Sequence, residues 1–538
     1  MALTDITQRT NNSGSSARTP TRQTTLFDAL SAVQRRSNKR QRRPLPPCVA
    51  SSGQENAAPE ANGDQPDDGK AVKRIRLESL EIVVRAQSKP CSEESVALPG
   101  PRTPVVQFGS LHAIHAALRL RQRRQHVVMR AVSTIGGLES LISPEARVYR
   151  LQAEEDSHVG ALPLACKYSN MAGERSKLAL VDEGGMVSLF DPVNGKMEVT
   201  GEDGMKPIVR WRGHDNSIFD IDWCADDTRI VTASADETCR LWDVEQQKLL
   251  GTFSGHSQTV RSVSWRHDDQ HCFSSASRDG SIMMWDLRVN KTNAGDEYAY
   301  RPVNTISRAH YGLRHAGKAL RSKASIVAGS VTAIQHLRHN ANLVASAGST
   351  SEAIKYWDVR MSAPTRATEL PTPAATSFLP ASSGRSRGTS SLTLDPDGTR
   401  LYSACNSNRV YVHNALSLGQ PIAQLEAPEF ECSSFNIATS ASPCGRHLAA
   451  GSANGSVVVW ELDMYGQNSS KRRAVLQGHV KEAGCVAWYS GTERTQLATC
   501  GDDGTMRVWD INSELADVAR ADPMRRCRWG FTSVHREA

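Results

Sequence analysis

The chain has 538 residues, 39% of them hydrophobic, with 12 cysteines and a formal net charge of +7, enough apolar material for a large folded unit beside a polar segment. Residues 1 to 150 hold 23 Lys+Arg against 13 Asp+Glu, so the other 388 residues carry about −3 of that charge and the basic excess sits at one end. No two cysteines form a Cys-x-x-Cys pair, which points to reduced thiols. No signal-peptide pattern or run of about 18 apolar residues occurs, so neither secretion nor membrane spanning is expected.

Residues 1–104 are rich in Ser, Thr, Pro, Gln, Arg and Asn and sparse in aromatics. Such a stretch buries too little surface to offset its ordering entropy, so a largely disordered basic tail is expected. Within it Arg35, Arg36, Lys39, Arg40, Arg42 and Arg43, with a second cluster at Lys70, Lys73, Arg74 and Arg76, read as a bipartite nuclear-import signal or a contact to DNA; the alternative is a solvated tail. Across 105–150 the character changes. Leu111, Ile114, His115 and Leu118 recur at helical spacing before the basic run Arg119, Arg121, Arg123, Arg124, which predicts a short helical lead-in.

From 151 to 515 the chain repeats itself. Trp242-Asp243, Trp285-Asp286, Trp357-Asp358 and Trp509-Asp510 are plain copies of one dipeptide, and Phe190-Asp191, His413-Asn414 and Trp460-Glu461 fall where degenerate copies belong. The seven copies stand about 43 to 72 residues apart, against a period of about 40 to 45 for WD-repeat blades, and the excess reads as insertion, the largest at 290–329. The prediction is all-β: a seven-bladed WD-repeat β-propeller. Strand text supports it. Ser217 to Trp223 alternates Ile218, Asp220, Asp222 with Phe219, Ile221, Trp223, and the Asx-Gly pairs 279–280, 397–398, 454–455 and 503–504 mark tight hairpins.

Three copies carry an internal wiring. Gly-His pairs precede them at His214, His256 and His479; Asp236, Asp279 and Asp503 stand six residues before Trp242, Trp285 and Trp509, and Thr232, Ser275 and Thr499 stand ten before. These types suit a buried relay, carboxylate to imidazole to hydroxyl to indole, in which each polar group needs the next, so the histidines are read as structural. Ring closure needs one blade to borrow a strand from the far end of the chain. Arg147 to Leu151 and the alternating Cys527, Trp529, Phe531 of the segment 516–538 are the two candidates. No phosphate-cradling Gly loop, His-Glu-x-x-His helix, nucleophile elbow or Cys/His metal spacing occurs. No catalytic residue, cofactor or metal ligand is therefore assigned, and a non-catalytic protein is expected.

Longer stretches add a specific resemblance. Gly213 to Trp223, Val231 to Asp236, Ser277 to Asp286 with its following arginine, Tyr300 to Ser307 and Ser390 to Asp395 are similar, in that order, to the denticleless-type family. These are substrate receptors of the cullin-4 RING ubiquitin ligase that act with the replication sliding clamp. The likeness runs from about Leu162 to Asp510 and leaves the first 150 residues uncovered. In that family a Trp-Asp-x-Arg box docks on the ligase adaptor, the large subunit of the damage-specific DNA-binding protein. The resemblance gives that part to Trp285, Asp286, Arg288 and to Trp357, Asp358, Arg360, whose planar guanidiniums suit oriented hydrogen bonding at a rim. Many WD-repeat proteins outside ligases carry the same tetrapeptide.

The resemblance further implies recognition without catalysis: cullin-4 and its RING subunit are reached through the adaptor, and substrates are met on the DNA-loaded clamp. Family substrates include the replication licensing factor, a histone H4 methyltransferase, and inhibitors of cyclin-dependent kinase or ribonucleotide reductase. Near the N-terminus Gln23, Leu26, Phe27 and Leu30 partly resemble a clamp-binding box, although Ala29 and Leu30 replace its two aromatics. The family's long C-terminal extension has no counterpart in the 28 residues after Asp510, so any tail function is expected at the N-terminus. The insertion, with Arg308, His310, Arg314, His315, Lys318, Arg321 and Lys323, is net basic and reads as a DNA or acidic-surface contact or as a solvated loop. Thr19-Pro20, Thr103-Pro104 and Thr372-Pro373 have the form of proline-directed phosphorylation sites. The expected protein is nuclear, with a non-ligase nuclear scaffold in chromatin or ribosome assembly as the alternative.

Overall fold

The β-branched and small residues of the repeats pair in short antiparallel strands, and in the computed structural model these stack as blades around a central axis. Residues 135–151, 161–193, 204–294, 297–314, 325–360, 370–378, 388–462 and 472–536 are described. The expected tail 1–104, most of the lead-in and the insertion tip 315–324 lie outside them, and with them Gln23, Leu26, Phe27, Leu30 and the basic run Arg35 to Arg43. Among the described residues the strands form seven blades, six of them opening on the inner strands Pro163–Tyr168, Ile218–Trp223, Val260–Trp265, Val331–His336, Thr389–Leu394 and Thr439–Ala441, and the seventh on Ala483–Trp488. All seven Trp-Asp copies, plain and degenerate, end the third strand of their blade.

Inner strands are joined through their side chains all the way round. Lys167 pairs with Asp222 at 2.8 Å; Asp220 and Asp222 accept from Val263 N and Trp265 N; Ser262 and Ser264 accept from Ile334 N and His336 N. Thr332 then donates to Thr389 O, Thr393 to Thr439 O, Trp488 N to Ser440, and Cys166 N to the Cys485 thiol. The simple alternation read over Ser217 to Trp223 fails for this reason. A bulge between Ile218 and Asp220 turns Ile218 and Ile221 together into the core, and leaves the aspartates facing the next blade.

Closure occurs on blade 7, and the boundaries differ from those read in sequence. Leu141–Ile142 and Val148–Arg150 pair with Thr505–Ile511, so the propeller takes in residues ahead of 151 and the candidate at Arg147 to Leu151 supplies a closing strand; 135–150 form short 3-10 turns and strands, and the helical spacing at 111–118 lies outside the described residues. With that edge taken, the C-terminal segment does not close the ring. Helices Ser513–Ala521 and Pro523–Arg528, which contain Cys527, lead to Phe531–Arg536, a fifth strand on the outer edge Arg472–Gln477 of blade 6. The base of the insertion is also structured: Glu297–Tyr300 adds in parallel to Leu249–Ser254 of blade 2, and Tyr300 stacks on Phe253 at 4.5 Å. His310–Arg314 and Ser325–Gly329 form a hairpin between blades 3 and 4.

A buried clasp holds the closure. Arg147 donates to Pro192 O of blade 1 at 3.1 Å and pairs with Asp510 Oδ2 of blade 7 at 3.2 Å, while Gln496 donates to Pro192 O and to Asp510 Oδ1 and accepts from Tyr168. Removing one partner of such a pair strands the other charge. Arg147→Ala should therefore lower stability by about 3 kcal/mol, whereas Arg150→Ala, which removes an exposed pair with Glu145, should change it by less than about 1 kcal/mol. Denaturant unfolding followed by tryptophan fluorescence compares the two.

The relay residues meet as their types require. His214 Nδ1 lies 2.8 Å from Asp236 and Nε2 2.8 Å from Thr232, to which the Trp242 indole donates. His256 joins Asp279 and Ser275, with Trp285 donating to Ser275, and His479 joins Asp503 and Thr499, with Trp509 donating to Thr499. The insertion supplies a fourth. His310, read in sequence as part of a basic surface loop, is buried with Nε2 2.8 Å from Ser346, which also accepts from Trp357. Its Gly-His is Ala309-His310, and Ser351 stands where Asp would, so the pattern hides it.

Burial lowers the imidazoles of His214 and His479. It lowers His310 to about 3, helped by Lys355, and lowers His336 to about 3 and His413 and His447 to about 4. Burial would raise the Asp236 carboxyl, but hydrogen bonds from His214 and Thr238 outweigh it and bring it to about 2. An unfolded imidazole protonates near pH 6.5 and a carboxyl near 4, so in both cases protons favour the unfolded chain and stability falls with pH. The unfolding midpoint should be flat from pH 8 to 7 and fall steadily between about pH 6.5 and 4. A midpoint constant until the carboxylates titrate would contradict this.

Candidate docking rim

Two adjoining third strands, Ile282–Asp286 of blade 3 and Ser351–Asp358 of blade 4, end on the same rim of the disc. The construction is the same in both. The Trp turns inward, with Trp285 and Trp357 about as buried as any side chain in the core and their indoles held by Ser275 and Ser346. The Asp then turns the chain: Asp286 accepts from Arg288 N at 2.9 Å, and Asp358 from Arg360 N at 3.0 Å. This two-residue turn also follows Asp191 and Asn414 in blades 1 and 5, so the acceptor is retained where the Trp is not.

Having made the turn, each carboxylate holds its own arginine end on. Arg288 donates Nε and Nη2 to the two oxygens of Asp286, both at 2.8 Å; Arg360 does so to Asp358 at 3.0 and 2.7 Å. Those hydrogen bonds keep the Asp286 and Asp358 carboxyls below their usual range. The guanidiniums stay half or more exposed. A side chain with long rotamer freedom is thus fixed before any partner arrives, which removes much of the ordering cost of binding.

The distance between the boxes is also fixed. Asn304, opening the fourth strand of blade 3, donates its amide to Val359 O, the residue between Asp358 and Arg360, at 2.9 Å. Exposed Val289 and Val303 flank the pair and add apolar surface. Sequence spacing found both boxes but missed Asn304 and also Asp269, a second carboxylate 3.0 Å from Arg288. Both sit in turns and strand starts where no repeat pattern marks them. The other described third strands lack the arginine, as in Asp243-Val244-Glu245 and Asp510-Ile511-Asn512. Among the described residues no group of His, Cys, Asp and Glu is arranged to hold a metal ion, and no helix is long and apolar enough to cross a membrane.

The model of the WD domain, G-beta repeat, matches residues 205–243, 247–286, 419–461 and 470–510. The denticleless protein homolog B of Xenopus laevis is 33% identical over 376 residues, 68% of this chain and 50% of that protein. The denticleless protein homolog of Danio rerio is 34% identical over 354 residues, 65% and 52% respectively, and that of Homo sapiens 30% over 377 residues, 68% and 49%. The chain spans about half the length of these curated relatives. It belongs to the denticleless-type WD-repeat family.

Proposed function

We propose that this protein is the substrate-recognition subunit of a cullin-4 RING E3 ubiquitin ligase. It docks through Trp285-Asp286-Leu287-Arg288 and Trp357-Asp358-Val359-Arg360 on the ligase adaptor, the large subunit of the damage-specific DNA-binding protein. Cullin-4 and the RING subunit join through that adaptor, and replication and cell-cycle proteins bound to the sliding clamp are presented for ubiquitylation and degradation. The observation that carries this reading is the pairing: two arginine forks in adjoining blades, held in one geometry and tied at a fixed spacing by Asn304. A lone box is common among WD-repeat proteins; two arranged as one surface give a partner two oriented guanidiniums with apolar ground between.

The receptor itself is non-catalytic in this reading, and chemistry is left to the associated subunits. Work on the DNA-loaded clamp places it in the nucleus, in keeping with the basic runs at Arg35 to Arg43 and Lys70 to Arg76. The partial clamp-binding match at Gln23, Leu26, Phe27 and Leu30 and the basic tail supply contacts to clamp and DNA.

Purified adaptor should be captured by the wild-type chain, and the Arg288→Ala/Arg360→Ala double variant should weaken capture at least tenfold while leaving the far-ultraviolet circular dichroism unchanged. Absence of wild-type capture would remove the ligase reading in favour of a nuclear scaffold.

A further inference from the structure

The face opposite the docking rim carries a guanidinium without a counter-ion. Inner strands start on that face, at the Gly-His turns, and third strands end on the rim. Phe219 and Arg261 are each second in their inner strand, and each is the extra residue of a bulge, between Ile218 and Asp220 and between Val260 and Ser262. A bulge re-aims the side chain it carries. Here the Arg261 guanidinium lies over the Phe219 ring at 4.3 Å and crosses from blade 3 to the segment leading into blade 6. There Nη2 donates to Phe435 O at 3.0 Å and to Asn436 Oδ1 at 2.9 Å. Blades 3 and 6 stand on opposite sides of the ring, so these contacts span the mouth of the central channel.

Both acceptors are neutral, and Arg261 Nε and Nη1 hold no partner among the described residues. Asp220, on the next inner strand, accepts from Val263 N instead. Burial pulls the guanidinium down to about 10, and Arg278 adds to the effect. A half-buried cation in this state gains from a carboxylate that accepts its remaining N–H groups. The segment it reaches is pinned in turn. Ser434 donates to Glu482, Ala438 N donates to Gly484 O of blade 7, and the Phe435 ring fills the space left by Gly388, where a Cβ would meet its Cε1 at 2.7 Å. Arg261 is therefore held in position before any ligand arrives.

We infer that Arg261 binds an aspartate or glutamate side chain of an extended peptide laid across the channel mouth on this face. Charge selects that ligand over a polyanion. On the blade 7 and blade 1 side of the same face burial raises the carboxyls of Glu183 and Glu482, and Asp502 adds to both. Those carboxylates repel a nucleic-acid backbone and confine negative charge to the Arg261 side. One guanidinium over one aromatic ring suits a single carboxylate on an apolar stem, with the Phe219 ring as its floor. Rim and mouth lie on opposite faces, so peptide and adaptor are bound together without competing. The inference rests on no part of the docking reading.

The test selects binders to the full chain from a phage-displayed random-peptide library. Selected peptides should share an Asp or Glu at one fixed position. In a synthetic copy of the best peptide, Asn or Gln at that position should weaken binding about tenfold. Against Arg261→Gln, with its fold checked by circular dichroism, the same replacement should change binding less than about twofold. Arg261→Lys, which keeps the charge, should restore most of the preference. A photo-reactive residue placed beside the acidic one should cross-link the wild-type chain near Phe219, Arg261 or Asn436, which needs no variant to fold. Failure to select any peptide, selection without a fixed acidic position, an equal cost of the replacement in Arg261→Gln, or cross-links at the docking rim would each overturn the inference. Should adaptor capture fail while the acidic preference persists, the docking reading falls and this one stands.

Discussion

Closure of the ring between blades 7 and 1 is the constraint on which everything else rests. A stack of antiparallel blades has two raw ends, and each offers unpaired backbone. Here the ends are joined at two radii. Near the axis, Cys166 N reaches the Cys485 thiol, completing the circuit of contacts between inner strands. Further out, the strands at Leu141–Ile142 and Val148–Arg150 complete blade 7, and Arg147 ties its Asp510 to the backbone of blade 1. The first contact is short-range and polar. The second is a buried charge whose removal would leave another unpaired.

A closed ring makes the blades mutually rigid, and rigidity gives the rim its value. In blades 3 and 4 one chain of hydrogen bonds runs from imidazole through a serine hydroxyl to the indole, and the next residue begins the turn that carries the arginine. The relay and the docking box are therefore consecutive parts of one construction. Because the indole cannot rotate without leaving a buried hydroxyl and imidazole unsatisfied, the Asp beside it is fixed, and the Asp fixes the guanidinium. Two such units tied by Asn304 form a surface whose spacing is set by the packing of two blades, not by loop conformation.

Much of this was legible because repeats write the same chemistry several times. Gly-His, Asx-Gly and Trp-Asp at constant offsets located third strands, three relays and both arginines. The sequence was silent where a contact depends on the neighbouring blade. Asp220 and Asp222 look like one face of an alternating strand until a bulge directs them at Val263 and Trp265. His310 looks like one cation in a basic insertion until Ser346 and Trp357 receive it. The strand Phe531–Arg536 carries no mark of its partner, which is settled by the edge that residues 141–150 leave vacant on blade 6 and fill on blade 7. Asp269 shows its role only when the turn bearing it lies beside Arg288. Local offsets encode local wiring; contacts between blades depend on closure, which no single repeat records.

Hydrogen–deuterium exchange of the full chain with and without purified adaptor tests the central claim most directly, because it reads where the partner sits as well as whether it binds. The account predicts protection confined to the rim turns at 286–289 and 358–360 and the Asn304 strand start that ties them, with the Gly-His turns at the opposite ends of the blades unchanged. Protection at those opposite turns, or none at the two arginine boxes, would contradict it.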